Sequence, residues 1–151
     1  MYKAAVRALV RHGIGRLNAG DPEFVLRLAA ADAELCFPGD NSWASMFRPV
    51  EKGGEAHVTH RGVEECRAFA ERFVAEGLRF TIEDILVNGP PWRTRVALRA
   101  VDRQPEPVDG EAYVNRVVAW MELRWGKLVR WEDYEDTERV AAWDARRAVV
   151  G

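Results

Sequence analysis

Two polar side chains stand on otherwise apolar strand faces in this 151-residue chain. Over 111–124, Tyr113, Asn115, Val117, Ala119, Met121 and Leu123 alternate onto one face, opposite Val114, Arg116, Val118, Trp120, Glu122 and Arg124. Asn115 is therefore expected as a buried amide. It must bond a neighbouring backbone group or hold a ligand oxygen or water, because leaving it unsatisfied costs about 1–3 kcal/mol. Over 128–135, Val129, Trp131 and Asp133 share a face. A carboxylate there pairs with a cation, takes a raised pKa, or lies where solvent or a ligand reaches it. Desolvation beside Trp131 would suit Asp133 to acid or base work near neutral pH. The plain alternative is a strand-end carboxylate in water or paired with arginine.

Other ionisable residues say less. Asp136 stands where a terminal helix needs an N-cap, and Glu135 beside it is a weaker candidate. His12, His57 and His60 form neither a Ser- or Cys-based nucleophile motif nor a His-x-x-x-His metal spacing. They are expected to be structural or exposed.

Positioning these groups requires a sheet and something to cover it. Val6, Leu9, Val10, Ile14 and Leu17 recur at helical steps, and Asn18–Gly20 ends that helix. Asp21-Pro22-Glu23 opens a second helix with Phe24, Val25 and Leu28 on its apolar side. Glu34–Phe37 reads as a short strand closed by Pro38-Gly39. An irregular stretch, 38–57, contains Pro49, Gly53 and Gly54 together with Trp43, Met46 and Phe47, enough apolar mass to cover a site or seal a core. A third helix follows Gly62 with Val63, Cys66, Phe69, Ala70 and Phe73 on one stripe and Gly77 as its stop. Residues 78–88, 92–103, 111–124 and 128–135 then read as four strands joined by short turns, hence antiparallel hairpins. Thr137-Glu138 starts a short last helix. The expectation is one α+β domain over 1–151: a strongly bent, mostly antiparallel sheet packed against three N-terminal helices, with a short C-terminal helix.

Composition bounds the function. Apolar residues are 48% and charged residues 30%, with a net charge of −2, which gives no basic footprint for nucleic acid. No apolar run approaches the length of a membrane span, and Lys3, Arg7 and Arg11 interrupt what a signal peptide would keep apolar. Cys36 and Cys66 read as two buried thiols in a reducing cytoplasm. They show no metal spacing.

The element order, and the ending Gly126-Lys127-Leu128-Val129-Arg130-Trp131-Glu132-Asp133-Tyr134-Glu135-Asp136, resemble the nuclear-transport-factor-2-like superfamily. That group includes SnoaL-like polyketide cyclases, ketosteroid isomerases and limonene-epoxide hydrolases. The resemblance implies a cone with a pocket between concave sheet and helices, in a homodimer formed through the outer sheet face. It carries an Asp-Arg-Asp triad of the epoxide hydrolases onto Asp133, Arg95 and Ala97, the last without a carboxylate; Glu83 and Asp84 are the nearby substitutes. The family's water-holding Tyr and Asn lie near Leu35 and Phe37. On strand 92–103, Trp92, Thr94, Val96 and Leu98 share one face and Arg93, Arg95, Ala97 and Arg99 the other, so an inward Arg95 needs a bulge.

The resulting expectation is a SnoaL-like protein with a pocket for a hydrophobic small molecule, working without cofactor or metal as a cyclase, isomerase or hydrolase. Asp133 would be the acid or base, Asn115 and Arg95 would orient it, and Phe37, Trp43, Tyr113, Val117 and Trp131 would line the pocket. The competing expectation is a non-catalytic ligand-binding or dimeric interaction module.

Overall fold

The computed structural model describes residues 1–51 and 54–150; Gly53, counted above in the irregular stretch, lies outside them. The helices are α1 (Tyr2–Asn18), α2 (Glu23–Leu28), α3 (Val63–Ala75) and α4 (Thr137–Val150). The strands are β1 (Ala29–Pro38), β2 (His57–Arg61), β3 (Arg79–Asn88), β4 (Thr94–Val108), β5 (Glu111–Arg124) and β6 (Lys127–Glu135). They form a six-stranded sheet in the order β2-β1-β6-β5-β4-β3. This is the expected α+β layering.

Hairpin turns set the antiparallel half. Asp109-Gly110 and Trp125-Gly126 take positive φ at both positions, the geometry whose twist matches that of the strands it joins. The parallel pairing of β1 with β6 has no local turn to announce it and is not visible in the sequence. It encloses the core between the sheet and α1–α3.

Helix α1 buries Val6, Val10, Ile14 and Leu17 against that core; each aliphatic side chain so buried is worth about 1.5–3 kcal/mol. Its last residue pins it to β3, since the Asn18 amide donates to the Phe80 carbonyl (2.8 Å) and accepts from the Phe80 N–H (2.9 Å). Three positional expectations are corrected. In α2 the buried residue is Leu26, because six residues make too short a helix for a full stripe. Val63 is 41% exposed at the open first turn of α3. In β6 a register shift opposite Glu122 and Leu123 buries Leu128 in place of Val129 while keeping Trp131 and Asp133 inside.

Candidate functional site

The concave face of β4, β5 and β6 meets α3, α4 and the segment after β1 around one cavity that carries the chain's buried acids. It is lined by Asp102 and Gln104 from β4, Tyr113 from β5, Asp133 and Glu135 from β6, Glu76 just beyond α3, and Asp144 of α4. Phe37, Trp43, Phe69, Phe73, Phe80 and Trp143 supply its rings. The free space is about 30 Å³, room for roughly one or two waters. An apolar void of about 30 Å³ adjoins it, sharing Phe69, Phe73 and Phe80. A further apolar void of about 40 Å³ shares Val25, Leu128 and Trp131 with that one. Acids thus stand at one end and hydrocarbon at the other.

Asp133 is 6% exposed. Its Oδ1 accepts from the Trp131 indole N–H at 2.5 Å, and its backbone carbonyl accepts from His57 Nε2 at 2.9 Å. Burial pushes its carboxyl upward, with the indole bond pulling the other way. Asp102, 7% exposed, has an Oδ1 with no partner among the described residues. Burial, and then the charge of Asp133, raise it to about 7, against a hydrogen bond from the Arg103 amide. Glu135 is driven upward by burial, then by Asp133, Asp102, Asp136 and Asp144. Among the described residues no lysine or arginine forms a salt bridge with Asp102, Asp133 or Glu135. Carboxyls gathered in one buried cavity resist ionising together near neutral pH.

The other two acids are paired, and their partners close the mouth. Arg72 donates to Glu76 (2.7 Å), to the Ser42 carbonyl (2.9 Å) and to the Ser42 hydroxyl (2.6 Å). Asp144 accepts from the Ser42 N–H (2.8 Å) and hydroxyl (2.7 Å), and Arg147 pairs with Glu76 at 2.9 Å. The Arg72 guanidinium also lies 3.8 Å from the centre of the Trp43 ring. His60, fully buried, donates Nε2–H to the Trp43 carbonyl (3.0 Å) and so holds the covering segment.

The sequence candidates divide. Asp133, Phe37, Trp43 and Tyr113 come together at the cavity. Asn115 is buried but satisfied internally: its amide donates to the Tyr113 hydroxyl (3.1 Å) and the Asp136 carbonyl (3.0 Å) and accepts from the Arg116 N–H (2.8 Å). Val117 is core beneath the cavity wall. Trp131 borders the two apolar voids and reaches the acids only through its indole N–H.

Arg95 is not brought to Asp133. It lies on the outer face, 4.0 Å from Glu122, because β4 pairs with β5 without interruption from Thr94 to Gln104 and no bulge turns it inward. Glu83 is held outside by Arg99 and Arg116, and Asp84 is exposed. The Asp-Arg-Asp triad is therefore not assembled. Asp136 caps α4, accepting from the Glu138 N–H at 3.1 Å.

Asp102 and Glu135 are the residues the sequence reading missed or underrated, although its own alternation reaches both. Continuing Thr94, Val96 and Leu98 by twos gives Ala100 and Asp102; continuing Trp131 and Asp133 gives Glu135. Glu76, at the end of α3, and Asp144, midway along α4, come from helices whose approach no local pattern announces. Among the described residues no group of three His, Cys, Asp or Glu side chains is disposed to hold a metal ion, and no helix is long and apolar enough to cross a membrane.

Comparison with known structures agrees with this architecture. The IdmH 96–104 loop truncation variant superposes with a TM-score of 0.66 at 18% identity, over 92% of this chain and 98% of that one. An NTF2-like protein of unknown function from Burkholderia pseudomallei gives 0.65 at 22% identity, covering 89% and 95%. TerC co-crystallised with polyporic acid gives 0.64 at 17% identity, covering 87% and 91%. At these identities the likeness is one of fold. No curated protein matches the chain significantly. The family model described as a SnoaL-like domain matches residues 6–131, from the first turns of α1 to Trp131 in β6, and the chain belongs to that family.

Proposed function

We propose that the protein is a cofactor-independent enzyme that moves a proton on a hydrophobic small molecule, as a cyclase or isomerase does, with Asp133 as the acid or base. The observation that carries this reading is Asp133 itself, buried among aromatic walls, paired with no cation among the described residues and sharing its cavity with Asp102 and Glu135. A carboxyl held near its protonation midpoint at neutral pH can both take and return a proton. Abstraction from a carbon beside a carbonyl would leave an enol-like species, and ring closure or return of the proton elsewhere would release Asp133 unchanged. Asp102 and Glu135 share its protons, and Asn115 acts by holding Tyr113 and the start of α4. The co-crystal of TerC with polyporic acid supports an organic molecule as the ligand of this fold.

Hydrolysis of an epoxide by the family triad is not part of this reading, because Arg95 and Ala97 face away from Asp133. Binding without turnover is the second reading. It is favoured by Asn115, whose amide is satisfied internally and offers nothing to a substrate. Two accompanying features are a homodimer through the outer sheet face, where Leu86 and Val118 are exposed, and a reducing, cytoplasmic setting suited to the two buried free thiols.

Asp133→Asn decides between the readings. Once a substrate is found by screening carbonyl-bearing aromatic and polycyclic compounds, the enzyme reading expects turnover to fall by at least about 10²-fold, with affinity largely kept. Turnover surviving the change would remove Asp133 from the chemistry. Recovery of every bound compound unaltered would favour the binder.

A further inference from the structure

The acids of the cavity outnumber anything on its walls that could neutralise them. From the elements around it come Glu76 (α3 end), Asp102 (β4), Tyr113 (β5), Asp133 and Glu135 (β6) and Asp144 (α4). The neighbouring bases are committed: Arg72 to Glu76 and Ser42, Arg147 to Glu76. Among the described residues Asp102, Asp133 and Glu135 have no cationic partner, and Oδ1 of Asp102, buried against the cavity, has no hydrogen-bond partner. A buried acceptor of that kind costs free energy unless something donates to it.

The shape of the deficit narrows the donor. The carboxyls are not disposed to chelate a single metal ion. They are interleaved with the rings of Trp43, Tyr113, Trp143 and Phe37, whose faces attract organic cations. Hydrocarbon voids continue behind Phe73 and Phe80 and would hold an apolar body. An anionic group would meet five carboxyls there.

We infer that the pocket takes an organic cation: a small amphiphile with a protonated amine head among Asp102, Asp133 and Glu135 and an apolar body directed toward the voids behind Phe73 and Phe80. This rests on the reading of the cavity as a ligand pocket and narrows its substrate class to amine-bearing hydrophobic molecules. A neutral hydroxyl could satisfy the Asp102 oxygen but would bring no positive charge to the acids. When the ammonium enters, a neutral carboxyl beside it ionises and its proton leaves to solvent, so binding and proton release are linked.

The test uses the full chain and three probes of one shape: benzylamine in its ammonium form, benzyl alcohol and benzoate, titrated calorimetrically at about pH 7 in two buffers of different ionisation heat. The expected result is ammonium binding at least about tenfold tighter than the alcohol, one factor of ten corresponding to 1.4 kcal/mol. Benzoate should not bind, and the heat should differ between buffers as protons are released. Asp102→Asn should weaken the ammonium about tenfold and leave the alcohol unchanged. Glu135→Gln serves as a second variant should the first not fold. Alcohol binding as tightly as ammonium, or ammonium binding without proton release, would overturn the cation inference while the pocket reading stands. If none of the probes binds at millimolar concentration, both readings fall.

Discussion

Asp102 shows how one residue can be readable and still be passed over. Its inward face follows from the alternation that identified Val96 and Leu98, but its chemistry depends on Asp133, two strands away in the sheet. Its raised pKa fixes the sign of a stability effect. The folded protein holds the Asp102 proton more tightly than the unfolded chain, so this group's contribution is fully present below its ordinary value of 3.8. It is lost as pH rises to about 7. Asp102→Asn removes the titration and keeps the shape. Thermal or urea unfolding should find the variant more stable than the parent by up to about 4 kcal/mol at pH 8 and nearly equal to it at pH 4. A variant less stable than the parent at both pH values would show that the Asp102 charge is tolerated in the fold.

At the scale of elements, the covering pieces differ in how firmly they are held. Helix α1 has four aliphatic anchors, whereas α4 buries only Val140. Beyond Val140 the hold on α4 combines the Trp143 ring, packed on the core with its centroid 5.6 Å from that of Tyr113, with polar bonds: Trp143 to Gln104 at 3.0 Å, Asp144 to Ser42, and Arg147 to Glu76. Passage of a ligand into a 30 Å³ space requires something to move, and α4 with the Ser42–Trp43 segment is a cover held by fewer buried aliphatic residues than α1. The close approach depends on Gly39, at φ +82°, where an added Cβ would lie 2.8 Å from the Thr137 side chain. Gly39→Ala should cost about 1–3 kcal/mol through left-handed strain and this clash. Hydrogen exchange should then quicken over 137–150 and 40–46, with β4 and β5 amides unaffected. Uniform quickening across the sheet would instead assign Gly39 a global role. The sequence marked Pro38-Gly39 as the end of a strand; it held no sign of the helix that comes to rest on it.

For the whole molecule, the outer sheet face is mixed. Arg95, Arg99 and Arg116 find Glu122 and Glu83, while Leu86 and Val118 remain 63% and 37% exposed. Salt bridges of such exposure contribute little individually, so cover of the apolar positions would supply most of an association. Under the proposed homodimer, replacing Leu86 and Val118 together by Lys should convert dimer to monomer in sedimentation analysis and shift unfolding of the separated chain by less than about 1 kcal/mol. A parent that is monomeric at micromolar concentration removes the dimer.

The sequence by itself determined what is encoded locally: the stripe of α1, turn glycines, the alternation along β5 and the placing of Asp133 on one strand face with Trp131. These follow from periods of 3.6 and 2 and from backbone conformations that few residues tolerate. Tertiary structure alone decided the rest. The parallel β1–β6 pairing joined β1 and β2 to the other four strands, the irregularity in β6 buried Leu128 in place of Val129, and uninterrupted pairing of β4 kept Arg95 outside. The same packing gathered acids from α3, β4, β6 and α4, residues up to 68 positions apart between Glu76 and Asp144, around one cavity. Charges so distant in the chain shift one another's protons only once folding has removed the water between them.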